Sequence, residues 1–129
     1  MKQVTAALIV KNNKILIAKR RASDKLANKW EFPGGKIEEG ETSEQCLIRE
    51  IKEEFQIEIV VEGYFGSSKY SYEHGAIELL GYWAKYNGED ILKPTVHDDY
   101  RWVSISELVN YDFSPADIPF VEKLKSMKL

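Results

Sequence analysis

The chain has 129 residues, 43% of them hydrophobic and 30% charged, with a formal net charge of −3. That length supports one domain with a real core, and the slight negative charge excludes the basic footprint that duplex nucleic acid requires. The single cysteine, Cys46, excludes an intrachain disulfide and fits a reducing compartment.

Residues 3–10 predict a strand. Val4, Ala6, Leu8 and Val10 line one face, and Ala7 with Ile9 makes the other apolar, so both faces are expected to be buried. Lys11, Asn12 and Asn13 end this run far short of a membrane span, and no leader-like stretch precedes it; a cytoplasmic setting without membrane contact is the expectation. Asn12-Asn13 tolerates positive φ and predicts a turn into a returning strand over 14–19. Arg20-Arg21 and a polar loop over 22–29 follow. Trp30-Glu31-Phe32, bounded by Pro33, predicts a brief strand that ends in a Pro-Gly-Gly turn.

A helix is predicted over 42–56. Thr42 and Gln45 form a capping-box pattern, and Leu47, Ile48, Ile51 and Phe55 make an apolar stripe. Glu50, Glu53 and Glu54 sit at i, i+3 and i+4, on one face roughly 120° around from that stripe at about 100° per residue. Arg49 and Lys52 fall on the remaining arc. Cys46, inside the helix, is expected to be a buried structural thiol.

Ile57 to Val61 predicts a strand that continues as extended chain through Tyr72. Glu73-His74-Gly75 predicts a hairpin turn, with His74 in solvent. A long strand over 76–86 follows, then an Asn87-Gly88 turn. Tyr82, Trp83, Tyr86 and Trp102 are read as sheet and core residues. Tyr100 to Val103 is a short strand, Ser104 with Glu107 opens a short helix, and 114–117 is a loop. A terminal helix over 118–127 buries Phe120, Val121 and Leu124, and its late Lys123, Lys125 and Lys128 suit the helix dipole. The sum is a mixed α/β (α+β) chain with hairpins as well as crossovers.

Three carboxylates on one helix face repel one another. Either they stay in water, as an acidic solvated face, or they hold cations. In the second case the turn's backbone carbonyls complete a shell of oxygens suited to magnesium, which bridges to substrate phosphates.

Residues 35–57 resemble the Nudix box, G-x5-E-x7-R-E-U-x-E-E-x-G-U with U a bulky aliphatic residue. Gly35, Glu41, Arg49, Glu50, Ile51, Glu53, Glu54 and Ile57 are in register. Gln56 stands where the pattern has its last glycine, and it can take the left-handed turn at a cost of roughly 1 kcal/mol. The flanking 27–38 and 115–119, with the Arg20 hairpin, resemble the MutT branch, so the likeness covers nearly the whole chain.

The resemblance implies one Nudix domain over 1–129, a mixed sheet sandwiched between α-helices, and hydrolysis of nucleoside triphosphates to monophosphate and pyrophosphate. Magnesium is the implied cofactor, with manganese able to substitute. Glu50, Glu53 and Glu54 are the implied ligands, assisted by the carbonyl of Gly34 or Gly35, and Glu50 or Glu54 accepts the proton of the attacking water. Arg49 is expected to pair with Glu41 and orient the loop; the alternative is a surface salt bridge worth under ~1 kcal/mol. Arg20 would meet the phosphates or base edge, Phe32 would line the base pocket, and Asp117 would read the base. Their alternatives are a solvated arginine, ordinary core packing, and a cap for the helix that begins Ile118-Pro119.

Many relatives carry a further late acid, at the position of Val96 here. His97, Asp98 or Asp99 could stand in for it, or belong to a solvated loop. The best-known enzymes of the branch clear oxidised guanine nucleotides, and cousins act on cytidine nucleotides. An ionised Asp117 only accepts hydrogen bonds, which suits the amino group of cytosine. The expected partner is a small nucleoside triphosphate, with the chain a monomer or weak homodimer. A nucleotide-binding module without catalysis is a third reading, favoured only by Gln56 and Val96.

Overall fold

The computed structural model describes residues 1–129. Strands β1 (Lys2–Lys11) and β2 (Lys14–Arg20) form a hairpin whose Asn12 and Asn13 have φ of 51° and 64°. The two strands pair only near the turn, at Val10↔Ile15 and Lys11↔Lys14. Beyond it they part, and residues 30–35 run into the gap. There β3 (Trp30–Glu31) pairs with Lys19 and Ala18 of β2. On the other side, the Ala7 N–H donates to the Pro33 carbonyl and the Thr5 N–H to the Gly35 carbonyl, both at 2.7 Å. The Pro-Gly-Gly stretch, expected as a turn, is instead extended, because alternate residues bond antiparallel to the central strand and pin it there.

The other edge of β1 pairs in parallel with β5 (Gly75–Lys85), which pairs antiparallel with β4 (Val60–Tyr72). Strand β6 (His97–Val103) pairs antiparallel with β2. The result is one six-stranded mixed sheet.

Both faces of β1 are buried, as its two apolar faces predict. Ala7 and Ile9 pack, with Leu16 and Ala18 of β2, against Leu47, Ile51 and Phe55 of helix α1 (Ser43–Phe55). Ala6 and Leu8 pack, with Ile15 and Ile17, against Phe113 and the Phe120, Val121 and Leu124 face of helix α2 (Ile118–Leu124). Each fully buried side chain of this size contributes about 1.5–3 kcal/mol. The sheet is sandwiched between helical layers.

Several boundaries differ from the expectations. The strand after α1 begins at Val60, α2 ends at Leu124, and 105–110 and 115–117 are 3-10 turns. Ser104 and Glu107 do form the expected capping box. Strand β6 starts at His97 rather than Tyr100, because a bulge at Asp98, opposite the Lys19–Arg20 step of β2, lets Arg20↔His97 pair beyond the regular register. Asn87-Gly88 makes no tight turn. Tyr86 folds over Gly88 so closely that a Cβ there would lie 2.2 Å from the tyrosine oxygen.

Candidate active site

Helix α1 starts where its residues dictate. Thr42 accepts the Gln45 N–H at 3.1 Å, and the Gln45 side chain accepts the Thr42 N–H at 2.9 Å. It ends on Gln56, left-handed at φ 59°, whose N–H donates to the Lys52 carbonyl. Cys46 is fully buried against Thr5, 3.3 Å from its hydroxyl, and burial pushes the thiol up to about 11. It is a structural thiol, not a nucleophile.

Arg49 ties the loop to the helix. Its Nε and Nη2 donate to the two Glu41 oxygens, each at 2.8 Å, and Nη2 also reaches the Lys36 carbonyl at 3.3 Å. Nη1 donates to Glu50 at 2.9 Å and to Glu53 at 3.4 Å. The hydrogen bonds from Arg49 are the main reason Glu41 is held down to about 2. This is a bidentate network rather than a lone surface pair. Arg49→Lys is expected to cut kcat about tenfold, because an ammonium cannot hold both Glu41 oxygens and Glu50 at once. Steady-state kinetics beside a melting curve checks this.

The two glycines of this stretch differ in what they offer. The Gly35 carbonyl already accepts from the Thr5 N–H at 2.7 Å and the Thr5 hydroxyl at 3.0 Å. The Gly34 carbonyl is the free one. A Cβ on Gly35 would fall 2.2 Å from Glu50 Cδ, so glycine stretch and carboxylate are in direct contact.

Glu54 points inward and is 6% exposed. Its Oε1 has no hydrogen-bond partner and lies 3.8 Å from His97 Nδ1, which also has none. Two such atoms cost about 1–3 kcal/mol each while unpaired. The other ring nitrogen, Nε2, is 2.8 Å from Glu31 Oε2, and Glu31 Oε1 accepts Arg20 Nη1 at 3.0 Å. Burial, then the charge of Glu31, then Glu50, pushes Glu54 well above the usual carboxylate range. Burial works the same way on Glu31, but His97 and Arg20 outweigh it and hold Glu31 low.

The helix brings Glu50, Glu53 and Glu54 together beside the glycine stretch, but it does not converge three ligating side chains on one point. Arg49 occupies Glu50 and Glu53 while Glu54 turns in. The fit to a hard divalent cation rests on two observations: the unpartnered buried oxygen of Glu54, and a donor set made only of carboxylates and a free carbonyl.

Next to this face lies a cavity of about 270 Å³, walled by Arg20, Glu31, Phe32, Tyr72 and Asp117 and floored by Gly34 and Gly35. Phe32 is 3% exposed and packs on Phe113 at 5.3 Å between ring centres, so it is core and cavity wall together. Arg20 is not a solvated arginine; it braces Glu31, and its Nε donates to the Lys25 carbonyl at 2.8 Å. Asp117 makes no capping bond to α2, which removes that alternative. Its Oδ1 instead accepts the Phe32 N–H at 3.0 Å. His74 is exposed but stacks on Tyr72 at the cavity rim, 5.1 Å between ring centres.

Burial first, then Glu31, pushes Asp117 well above its ordinary value of 3.8. A carboxyl raised in the folded state costs stability as pH climbs above its unfolded pKa. Asp117→Asn keeps an oxygen for the Phe32 N–H. Its stability gain over wild type is expected to be nil below that ordinary value and to grow as pH rises toward neutral, read by melting temperature against pH.

Of the late candidates, only His97 reaches the site. Val96 is exposed, Asp99 pairs with Arg101 at 2.6 Å, and Asp98 lies 3.4 Å from the Ala22 N–H. Glu31 is a site residue that the sequence reading missed. Its signal was a charge between Trp30 and Phe32, in a triplet otherwise built for a core.

An oxygen-donor helix face sharing a glycine stretch with an open, arginine-braced pocket suits a hydrolase of phosphoric anhydrides. The NUDIX domain family matches residues 1–124, and the chain belongs to the Nudix family. It is 37% identical over 128 residues to the CTP pyrophosphohydrolase of Escherichia coli strain K12, covering 99% of this chain and 94% of that one. It is 39% identical over 118 residues to the 8-oxo-dGTP diphosphatase of the same organism, covering 90% and 89%. Among solved structures, the E. coli ORF135 protein superposes with a TM-score of 0.83 at 36% identity, covering 98% of this chain and 91% of that one. Members of the family generally need a divalent metal and act on small nucleotides. No helix here is long and apolar enough to cross a membrane.

Proposed function

We propose that residues 1–129 act as one domain that hydrolyses nucleoside triphosphates at the α–β bridge, giving monophosphate and pyrophosphate, with 8-oxo-dGTP the preferred substrate. The observation that carries this reading is the shared glycine stretch. Gly34 and Gly35 both line the cavity and Gly35 abuts Glu50 of the carboxylate helix, so a base in the cavity directs its phosphates onto that face.

Glu50, Glu53, Glu54 and the Gly34 carbonyl would hold magnesium, or manganese in its place. The bound ion would offset phosphate charge and acidify water. The protein's own groups do the rest. Glu41, through Arg49, fixes the loop against the helix. The proton of the attacking water goes to a carboxylate oxygen of Glu50 or Glu54. Arg20 braces the cavity wall and offers positive charge to the substrate, and Phe32 packs against the base. Phosphoryl chemistry asks for little beyond such positioning and charge balance.

Asp117 supports the guanine reading. A buried carboxyl that stays protonated both donates and accepts, as asparagine does. With Oδ1 held by Phe32, Oδ2 can donate to a base carbonyl, which oxidised guanine presents. A second reading, CTP or 5-methyl-dCTP, rests on an ionised Asp117 accepting from the cytosine amino group, and on the similarity to a CTP pyrophosphohydrolase. Competition between 8-oxo-dGTP and CTP at low concentration separates the two. A kcat/KM preference of about a hundredfold for cytidine nucleotides, worth nearly 3 kcal/mol in the transition state, would overturn the first. The single cysteine supports a cytoplasmic setting, and a monomer or weak homodimer is the proposed working state.

A further inference from the structure

His97 is the one imidazole buried in this protein, and it stands between the cavity and the carboxylate helix. Its ring lies flat on Phe55, 5.4 Å between centres and 8° from parallel, which fixes the ring plane. Nε2 faces Glu31 Oε2 at 2.8 Å. Glu31 also takes the Arg20 guanidinium on its other oxygen, at 3.0 Å, so Arg20, Glu31 and His97 form one chain of contacts. The other ring nitrogen, Nδ1, faces Glu54 Oε1 at 3.8 Å, and neither atom has another partner.

We propose that His97 is a positioning residue for the Nudix reaction, holding one oxygen of Glu54 toward the sheet so that the other is presented to the metal face. The proposal rests on the pyrophosphohydrolase reading given above, and it deepens that reading by adding a link. Arg20, in the cavity wall, orients Glu31; Glu31 orients His97; His97 orients Glu54. The pocket that receives the base and the helix that receives the phosphates are thereby joined by side chains as well as by the glycine stretch. Partners that orient a ligand in this way typically change metal affinity or turnover by about 10–100-fold when removed.

Three substitutions test it. His97→Phe keeps the stack on Phe55 and loses both nitrogens. His97→Asn keeps a polar atom near Nδ1, and His97→Gln keeps one near Nε2. Magnesium affinity is measured by calorimetry on each variant without nucleotide. kcat and KM are measured by pyrophosphate release from 8-oxo-dGTP or CTP, whichever wild type turns over faster. The expected result is a tenfold or greater loss of magnesium affinity and kcat in His97→Phe, with KM within about twofold of wild type, and better recovery in His97→Asn than in His97→Gln. Recovery by Gln equal to or better than Asn would overturn the proposal, because a role confined to packing or to Glu31 predicts that order. Wild-type magnesium affinity and kcat in His97→Phe would overturn it too. If His97→Phe does not fold, the order of Asn and Gln decides. If wild type releases no pyrophosphate, the functional reading fails, while the calorimetric order still tests the role of His97.

Discussion

Glu54→Gln is expected to lower kcat about a thousandfold, or roughly 4 kcal/mol of transition-state stabilisation, and at the same time to raise the melting temperature of the metal-free protein. The loss follows from exchanging an anionic ligand, and a candidate proton acceptor, for a neutral amide in the same volume. The gain follows from burial. Glu54 is 6% exposed, it lies near the charges of Glu31, Glu50 and Glu53, and its Oε1 is unpartnered, so burial and its acidic neighbours oppose its ionised form. An amide removes that opposition, and the group that chemistry needs is one that folding disfavours. Glu53→Gln should lose most of its turnover without the stability gain, because the Glu53 side chain is 60% exposed. Kinetics and melting in chelator, run on both variants, read the contrast. Unchanged turnover in Glu54→Gln would remove it from the chemistry, and a protein silent even as wild type would be a binding module.

The two glycines of the extended stretch should fail in opposite ways. A Cβ on Gly34 would lie 2.0 Å from the Thr5 carbonyl oxygen and 3.1 Å from Ala6 Cα, both backbone of the central strand. Nothing there can swing aside, so Gly34→Ala is expected to destabilise the fold by about 3 kcal/mol or more, lowering the melting temperature by roughly 10 °C. The three atoms nearest a Cβ on Gly35 all belong to the Glu50 carboxylate, at 2.2–2.6 Å. That side chain can rotate away, so Gly35→Ala should fold nearly as well as wild type. Its cost should appear in magnesium affinity and kcat, each down at least about tenfold, because Glu50 has left its place. Comparable melting losses in both variants would show that the stretch moves as one rigid unit.

What was legible in the sequence was local. Asn12-Asn13, the Thr42/Gln45 cap and the two apolar faces of β1 each follow from a few neighbouring residues, and each is found, whereas the left-handed end at Gln56 was left open between two helix endings. The carboxylate triplet was legible because helical spacing alone brings i, i+3 and i+4 to one side. What was not legible depends on partners far along the chain. The oxygen of Asp117 is claimed by the N–H of Phe32, 85 residues away, so the capping alternative falls for a reason no local window contains. His97 reads as loop until the bulge at Asp98 carries the pairing of β6 with β2 on to Arg20. Asn87-Gly88 carries a strong turn signal, overridden by the Tyr86 ring that folds onto the glycine.

The wedge of residues 30–35 between the parted strands also acts as a ruler. Phe32, at the base wall, and Gly35, against Glu50, are three residues apart on an extended backbone bonded to its neighbours on β1. At about 3.3 Å per residue that is a stiff interval of roughly 10 Å. With a ring seated against Phe32 as proposed, a substrate is thus measured out to a set length before it is cut. Lengthening the arm between ring and first phosphorus would move the scission point along the tail, whatever the ring's identity.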